Sequence, residues 1–144
     1  MKVFLTGRLK KERYIQEHYF DRRDMKTGDT YIIRHTVTSD ETAEILGSGG
    51  LPVYSTPAMI CLMESTAYGL ANEEGNQTVG TKVNISHLRA CLPGTELESV
   101  AELTAIEGRK LTFKVAVSDS KGLIGEGEHE RFIIDAERFM SKIQ

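Results

Sequence analysis

The stretch "VYSTPAMICLMESTAY", residues 53–68, predicts a long and mostly apolar helix around which the rest of the chain must be arranged. Thr56 followed by Pro57 predicts an N-cap with proline at the first helical position. Gly75 predicts that the helix ends near Glu74. The first half of this helix is apolar nearly all round, which is typical of a helix that other structure covers on more than one side.

One residue does not fit that apolar helix. Glu64 places a carboxylate directly after the apolar run of residues 58–63. A carboxylate that is buried without a partner costs on the order of several kcal/mol. Glu64 therefore either faces water from a narrow polar stripe or is held inside the protein for chemistry.

Upstream of the helix the sequence predicts a strand, a short helix and a break. "DTYIIRHTVTSD" (29–40) is rich in β-branched and aromatic residues, which favours a strand. "SDETAEIL" (39–46) predicts a short helix with Ser39 or Asp40 as its N-cap. The glycine-rich "GSGGLP" (47–52) then interrupts regular structure.

Downstream of the helix the sequence predicts four consecutive antiparallel strands and a short closing helix. In the first strand the period-two rule places six residues on one face: Val79, Thr81, Val83, Ile85, His87 and Arg89. The segments are "TVGTKVNISHLRA" (78–90), "TELESVAELTAIEG" (95–108), "RKLTFKVAVSD" (109–119), "LIGEGEHERFIID" (123–135) and the helix "AERFMSKIQ" (136–144). A sheet with one apolar helix predicts an α+β fold in which the antiparallel sheet wraps around one long central helix.

Composition excludes several classes of protein. A chain of 144 residues fits one domain, and a net charge of −3 gives no general reason to expect a nucleic-acid partner. No apolar stretch approaches the length of a membrane span. The two cysteines, Cys61 and Cys91, do not make a disulfide framework, so a cytoplasmic protein is expected, with Cys61 as a small core residue. The histidines and cysteines lack metal-ligand spacing, so no metal is expected.

The first 25 residues differ in charge from the rest, with seven Lys or Arg against four Asp or Glu. "GRLKKERYIQEHYFDRRDM" (7–25) could form an amphipathic helix. We therefore divide the chain into an N-terminal extension of unknown role, residues 1–25, and a domain of residues 26–144. The extension is either an upstream start, with Met25 as an alternative initiator, or a docking arm for a partner.

Several motifs together resemble the fluoroacetyl-CoA thioesterase-like family of hotdog proteins. They are residues 53–64, "VGTKVNISH" (79–87), "PGTEL" (93–97), "EGRKLTF" (107–113) and "GEGEHERFIID" (125–135), in an order and spacing that cover about residues 29–143. The resemblance implies a hotdog fold, a homodimer, and hydrolysis of short acyl-CoA thioesters without a cofactor other than the CoA of the substrate.

The resemblance also implies roles for five residues. Thr56, Glu64 and His87 match the catalytic threonine, glutamate and histidine, and Gly80 and Arg131 match residues that contact the substrate. A hydroxyl, a carboxylate and an imidazole can supply a nucleophile or an activated water, a base and an orienting group. The imidazole titrates near neutrality and is the natural proton shuttle, whereas the carboxylate could orient it or act as base or nucleophile. The helix N-terminus offers N–H groups for the thioester oxygen.

Each of these residues also has a purely structural interpretation. Thr56 could simply cap the helix, Glu64 could be solvated, and His87 could be a hydrogen-bonded core residue. Arg131 could form a surface ion pair with its glutamate neighbours, and Gly80 could mark a β-bulge.

Helix geometry constrains the predicted site. Thr56 and Glu64 are eight residues apart, so in one continuous helix their Cα atoms would be ~12 Å apart and their side chains could not hydrogen-bond. We therefore expect Thr56 in a loop before the helix, a site lined by both subunits of a dimer, and His87 beside Glu64. The segment 47–52 lacks the aromatic residues with which fluoroacetyl-specific members cover the acyl group, so the sequence does not favour a fluorinated substrate.

Three classes of function remain open at this stage. The first is an acyl-CoA thioesterase, the second a non-catalytic acyl-CoA-binding protein that acts as sensor or carrier, and the third a purely structural homodimer. Turnover of acyl-CoA would indicate the thioesterase, and binding without turnover would indicate the sensor or carrier. The structural homodimer would not bind acyl-CoA at all. The sequence does not indicate which acyl group is used.

Overall fold

The structure is a computed structural model that describes residues 2–3, 24–73 and 75–144. The amphipathic helix expected over residues 7–25 lies outside the described residues except for its last two. Met25, which the sequence analysis assigned to the extension, is 8% exposed and belongs to the hydrophobic core. The packed part of the chain therefore includes this residue, and the role of the preceding residues stays a prediction.

The chain folds into one antiparallel sheet and one long helix, which confirms the predicted α+β architecture with a sheet wrapped around a central helix. The sheet order is β1-β2-β4-β5-β6-β3. The strands are β1 (Lys2–Val3), β2 (Thr30–Thr36), β3 (Thr78–His87), β4 (Glu96–Glu107), β5 (Lys110–Asp119) and β6 (Gly122–Ile133). The helices are a 3₁₀ turn (Ser39–Glu41), α1 (Ala43–Leu46), the central helix α2 (Thr56–Glu73) and α3 (Ala136–Ser141).

The core lies between helix α2 and the concave face of the sheet. Alternate residues of β4 and β5 point inward and are fully or almost fully buried: Leu97, Ser99, Ala101, Leu103, Leu111, Phe113, Val115 and Val117. Helix α2 contributes Met59, Leu62, Met63, Ala67, Leu70 and Ala71. The two buried hydroxyls in this layer both have acceptors, because Ser99 donates to Thr66 Oγ1 at 2.7 Å and the Thr66 hydroxyl donates to the Leu62 carbonyl.

Ser55, rather than Thr56, caps the central helix. The Ala58 N–H donates to Ser55 Oγ at 3.2 Å and the Met59 N–H donates to the Ser55 carbonyl at 3.0 Å. Thr56 is the first helical residue, so the expectations that it caps the helix or lies in a loop are wrong. Because the cap is one residue upstream, the Thr56 hydroxyl is free for other contacts.

The cap of the short helical segment was also misplaced. Thr38, rather than Ser39 or Asp40, is the N-cap of the 3₁₀ turn, and its N–H donates to Glu41 Oε1 at 2.8 Å. Thr42 then serves as the N-cap residue of α1. Glu41, three positions after the cap, completes a capping box with Thr38.

A β-bulge breaks the simple alternation expected along β3. Gly80 pairs with Arg131 and Lys82 pairs with Glu130, so Thr81 is the extra residue. Because of this extra residue, side chains after the bulge point to the face opposite to the one that simple alternation from Val79 predicts. Val83, Ile85 and His87 share one face as predicted, but Val79 and Thr81 do not lie on it.

The described residues do not cover helix α2 on all sides. The side away from the sheet forms an open groove of about 320 Å³. The groove is lined by Pro57, Ile60, Cys61, Glu64, Ser65, Tyr68 and Arg131. Cys61 is exposed here, so its assignment to the core is wrong: the apolar first half of the helix faces both the sheet and this groove.

The close contact between β3 and β6 predicts a large effect of a single methyl group. A Cβ at Gly127 would lie 2.2 Å from the Asn84 carbonyl oxygen and 2.6 Å from Ile85 Cα, both backbone atoms that cannot move independently. We expect Gly127→Ala to lower the free energy of unfolding by about 1–3 kcal/mol, measured by chemical denaturation. Gly50→Ala is the matched control, because nothing lies within 4 Å of its Cβ position. Equal stability of the two variants would contradict this account of the interface.

Candidate active site

Thr56 and His87 meet at the start of the central helix. Thr56 is held there by the first turn of α2, and His87 is the last residue of β3. Their side chains lie within hydrogen-bonding distance, with 2.8 Å between Thr56 Oγ1 and His87 Nδ1. When the hydroxyl donates, Nδ1 is the acceptor and the imidazole is positioned to take the hydroxyl proton.

The surroundings of His87 favour its neutral form. Burial lowers the pKa of His87, and the nearby Arg89 backbone carbonyl opposes this only in part. The ring of Tyr54 stands edge-on to the imidazole with 6.3 Å between centroids. The Nε2 atom is buried within the chain and makes no well-formed hydrogen bond to the described residues.

Glu64 lies in a second cluster with Gly80 and Arg131. Glu64 Oε2 is 3.5 Å from a terminal nitrogen of Arg131, and its side chain is 42% exposed to the groove. A Cβ at Gly80 would lie 2.7 Å from Glu64 Oε2 and 3.1 Å from that nitrogen. The carboxylate can therefore approach β3 only because residue 80 is glycine. Gly80 lies at the β-bulge, as its structural interpretation predicts, and also beside Glu64, another candidate site residue.

Arg131 is a buried group and not a surface residue paired with its glutamate neighbours. It is 6% exposed, its Nε donates to Thr78 Oγ1 at 2.8 Å, and one terminal nitrogen donates to the Thr78 carbonyl at 3.2 Å. The guanidinium carbon lies 5.7 Å from the centroid of the Tyr68 ring. This positive charge is thus held in a fixed orientation at the edge of the groove.

The two clusters lie at opposite ends of β3 in one chain. The helix is continuous from Thr56 to Glu73, so Thr56 and Glu64 are separated by about 12 Å along its axis. Gly80 and His87 are seven residues apart on an extended strand, which spans roughly 20 Å. The expectation that His87 is the neighbour of Glu64 is therefore not met within one chain, where the partner of Glu64 is Arg131.

The helix N-terminus offers fewer free donors than expected. Pro57 has no N–H, and the Ala58 N–H is taken by Ser55. In this part of the site the Thr56 hydroxyl is therefore a more prominent polar group than the backbone.

A large open cavity lies away from both clusters. It measures about 1070 Å³ and opens between the strands β2, β4 and β5 and residues 89–95. Its charged groups form pairs with one another, Arg34 with Glu98 and Arg89 with Asp119. It holds none of the five residues that the sequence analysis selected.

The described residues contain neither a candidate metal site nor a helix that could cross a membrane. Residues 2–3, 24–73 and 75–144 contain no group of three or more His, Cys, Asp or Glu side chains that could hold a metal ion. In the same part of the chain no helix has the length and apolar character needed to cross a membrane.

Sequence reasoning missed four residues that build these clusters. Tyr54 stacks edge-on to His87 and Ser55 moves the helix cap off Thr56, whereas Thr78 and Tyr68 hold Arg131. A signal existed for Thr78, because it is two residues before Gly80 on the same strand. None existed for Tyr68, whose contact depends on how the helix lies against β6.

Comparisons with solved structures define the class of fold. The fluoroacetyl-CoA thioesterase FlK is 30% identical with a TM-score of 0.76, over 83% of this chain and 95% of that one. A hot-dog-like protein from Thermanaerovibrio acidaminovorans is 19% identical with a TM-score of 0.75, over 83% of this chain and 90% of that one. The latter likeness concerns the fold alone. The chain is therefore a hotdog protein.

Sequence comparisons define the family. The family model of the fluoroacetyl-CoA-specific thioesterases matches residues 37–137. The fluoroacetyl-CoA thioesterase of Streptantibioticus cattleyicolor is 36% identical over 95 residues, which are 64% of this chain and 68% of that protein. The chain belongs to this thioesterase family. Structures of single-substitution variants of FlK have been solved in complex with fluoroacetate and CoA and with acetyl-CoA.

Proposed function

We propose that the protein hydrolyses a short-chain acyl-CoA thioester to the free acid and CoA, in a site that two copies of the chain build together. Thr56 and His87 of one copy would face Glu64, Gly80 and Arg131 of the other. The observation that supports this arrangement is the separation of the two clusters at opposite ends of one edge strand.

Strand β3 is suited to pair with a second copy. Among the described strands it is at the edge of the sheet and pairs only with β6. It is ten residues long, and an edge of that length with unpaired backbone groups is a template for another strand. Antiparallel pairing of two β3 strands about a two-fold axis near Val83 would form one continuous sheet across a homodimer.

That symmetry would bring the two clusters together. Gly80 and His87 lie at comparable distances on either side of Val83, so the axis exchanges the two ends of the strand. Glu64 of the second copy would then approach the imidazole of His87 from across the two-fold axis. The resulting order of groups, hydroxyl, imidazole and carboxylate, is that of hydrolytic triads.

The chemistry follows from this order. His87 accepts the proton of the nucleophile at Nδ1, and the carboxylate of Glu64 stabilises the imidazolium that forms. The guanidinium of Arg131 supplies positive charge at the same end of the groove, where negative charge develops on the thioester oxygen. The C–S bond of the thioester then breaks, and the imidazolium returns its proton to the departing CoA thiolate. Attack by water releases the free acid in this step, whereas attack by Thr56 leaves an acyl ester that a water activated by His87 hydrolyses in a second step. Two nucleophiles fit, the Thr56 hydroxyl and a water held beside it, and pre-steady-state burst kinetics separate them.

The complexes of FlK variants with fluoroacetate and CoA and with acetyl-CoA support a short acyl group. The segment 47–52 contributes no aromatic cover, and Leu51 is 65% exposed. We therefore propose an unfluorinated short acyl group as the substrate. The cytoplasmic location and the absence of a cofactor stay predictions.

A panel of acyl-CoA thioesters from acetyl to hexanoyl, with fluoroacetyl included, tests the proposed function through release of free thiol. We expect turnover with the shortest acyl groups, unchanged by a metal chelator, and no preference for fluoroacetyl-CoA over acetyl-CoA. Thr56→Ala and His87→Ala should each lose about 100-fold or more in kcat, because both remove a group that moves the reacting proton. Thr104→Ala, which removes an exposed threonine of β4, should leave the rate unchanged. Binding of acyl-CoA without turnover would instead show a carrier or sensor.

The protonation of His87 gives an independent test of the composite site. Burial lowers the pKa of His87, so the neutral base persists into mildly acidic solution. A carboxylate close to the imidazole stabilises the imidazolium and acts in the opposite direction. We therefore expect Glu64→Gln to lower the pKa of His87 further, measured by NMR titration of the ring. Glu98→Gln, which removes an exposed carboxylate of β4, is the control. An unchanged pKa of His87 in Glu64→Gln would mean that the two groups do not meet.

A further inference from the structure

His129 is a buried histidine that the proposed function does not use. It lies on β6 opposite Val83 on one side and Phe113 on the other, and it is 1% exposed. Its position two residues before Arg131 on the same strand places both side chains on the concave face of the sheet. The ring lies 6.3 Å from that of Phe113, tilted by 30°.

The partners of His129 fix its protonation state. Nδ1 is 2.8 Å from the Lys82 carbonyl oxygen, which can only accept, so Nδ1 carries the proton. Nε2 is 3.1 Å from a terminal nitrogen of Arg131, which can only donate, so Nε2 is the acceptor. The imidazole is therefore neutral. Burial, reinforced by the charge of Arg131, lowers the pKa of His129 in agreement with this assignment.

This one side chain connects the β-bulge of β3 to the buried guanidinium. The Lys82 carbonyl that it binds is the first after the extra residue of the bulge. The Arg131 nitrogen that it binds is the one that approaches Glu64 at 3.5 Å. A Cβ at Gly80 would lie 3.2 Å from the Cε1 of His129, so the ring also forms one wall beside that glycine.

We propose that His129 is a positioning residue of the active site, and this inference rests on the proposed function. As the neutral Nδ1–H tautomer it holds the bulge with its donor and aims the Arg131 guanidinium at Glu64 with its acceptor. Thr78 fixes the other two nitrogens of Arg131, so His129 supplies the constraint on the nitrogen that faces the reaction groove. An imidazolium at this position would set an N–H against an N–H and remove that constraint.

Two amide substitutions separate the two hydrogen bonds of His129. The amide of glutamine reaches the position of Nε2, so its oxygen can accept a hydrogen bond from Arg131. The amide of asparagine reaches only the position of Nδ1, where its NH₂ group can donate to the Lys82 carbonyl. We expect His129→Gln to retain kcat/KM within about 5-fold and His129→Asn to lose about 10- to 100-fold, because a misdirected charge at the reacting groups is costly. His35→Gln, a substitution of a histidine on β2, is the control and should leave kcat/KM unchanged.

A double-mutant cycle with Arg131→Gln distinguishes positioning from simple packing. If His129 acts through Arg131, His129→Asn should cost less than about 2-fold in the Arg131→Gln background. If His129→Asn instead lowers kcat/KM by the full factor in that background, the inference is overturned while the thioesterase assignment stands. The same holds if both amide variants lose kcat/KM equally and in proportion to their loss in melting temperature. A wild-type protein that hydrolyses no acyl-CoA would overturn the proposed function and this inference with it.

The tautomer gives a test that does not depend on activity. In ¹⁵N NMR spectra of the imidazole rings at pH 7, we expect His129 to show a protonated Nδ1 and an unprotonated Nε2. Arg131→Gln should change the Nε2 shift more than the Nδ1 shift. A doubly protonated ring, or the tautomer with the proton on Nε2, would contradict the assignment.

Discussion

The straight course of helix α2 constrains the whole site. Ser55 caps the helix, so Thr56 is already in its first turn, and a rise of ~1.5 Å per residue then carries the chain away from Thr56 before it reaches Glu64. No rotation of side chains can close a gap of about 12 Å. Within one chain the hydroxyl contacts the imidazole of His87, and the carboxylate contacts the guanidinium of Arg131. Under the proposed function, a second copy brings these two clusters together. The edge strand β3, which carries His87 at one end and Gly80 at the other, is the element best placed to recruit a second copy.

A second constraint is the burial of a positive charge beneath that strand. Arg131 is 6% exposed, and an unpaired charge in such a place would be strongly destabilising. The structure satisfies it through Thr78 at Nε and one terminal nitrogen, and through Glu64 and His129 at the other terminal nitrogen. The residues that stabilise the buried charge of Arg131 also fix the orientation of its guanidinium. A substitution among them should therefore affect both the stability of the protein and the position of this charge.

Much of the fold could be predicted because it depends on periodicity. The apolar run of α2 and the alternation along β4 and β5 gave the helix, the strands and the sheet that curls around the helix. The errors arose where one residue shifts the pattern. Ser55 and Thr38 take over caps assigned to their neighbours, and the bulge after Gly80 inverts the facing of β3. Cys61 was assigned to the core because a helix that is apolar nearly all round does not show from sequence which side is an open groove.

The sequence selected the candidate residues of the site but did not show which of them contact one another. Family resemblance selected Thr56 and His87, and the structure places them 2.8 Å apart. It also selected Glu64 and Arg131, but the contact between them was not anticipated, since Arg131 looked like a surface residue among glutamates. His129 went unnoticed because a histidine is recognised by its neighbours in space. Its spacing of two residues from Arg131 is the one sequence feature that relates them.

Subunit complementation tests the composite site most directly. His87→Ala and Glu64→Ala variants, each inactive as a homodimer, are mixed and allowed to exchange subunits, with exchange followed by native mass spectrometry. Random exchange makes half of the dimers mixed, and each mixed dimer carries one intact site, so about a quarter of the wild-type activity should return. The pair Thr56→Ala and His87→Ala, whose lesions fall in the same cluster, should stay inactive after the same exchange. Exchange without recovery in the first pair would contradict a site shared between two copies.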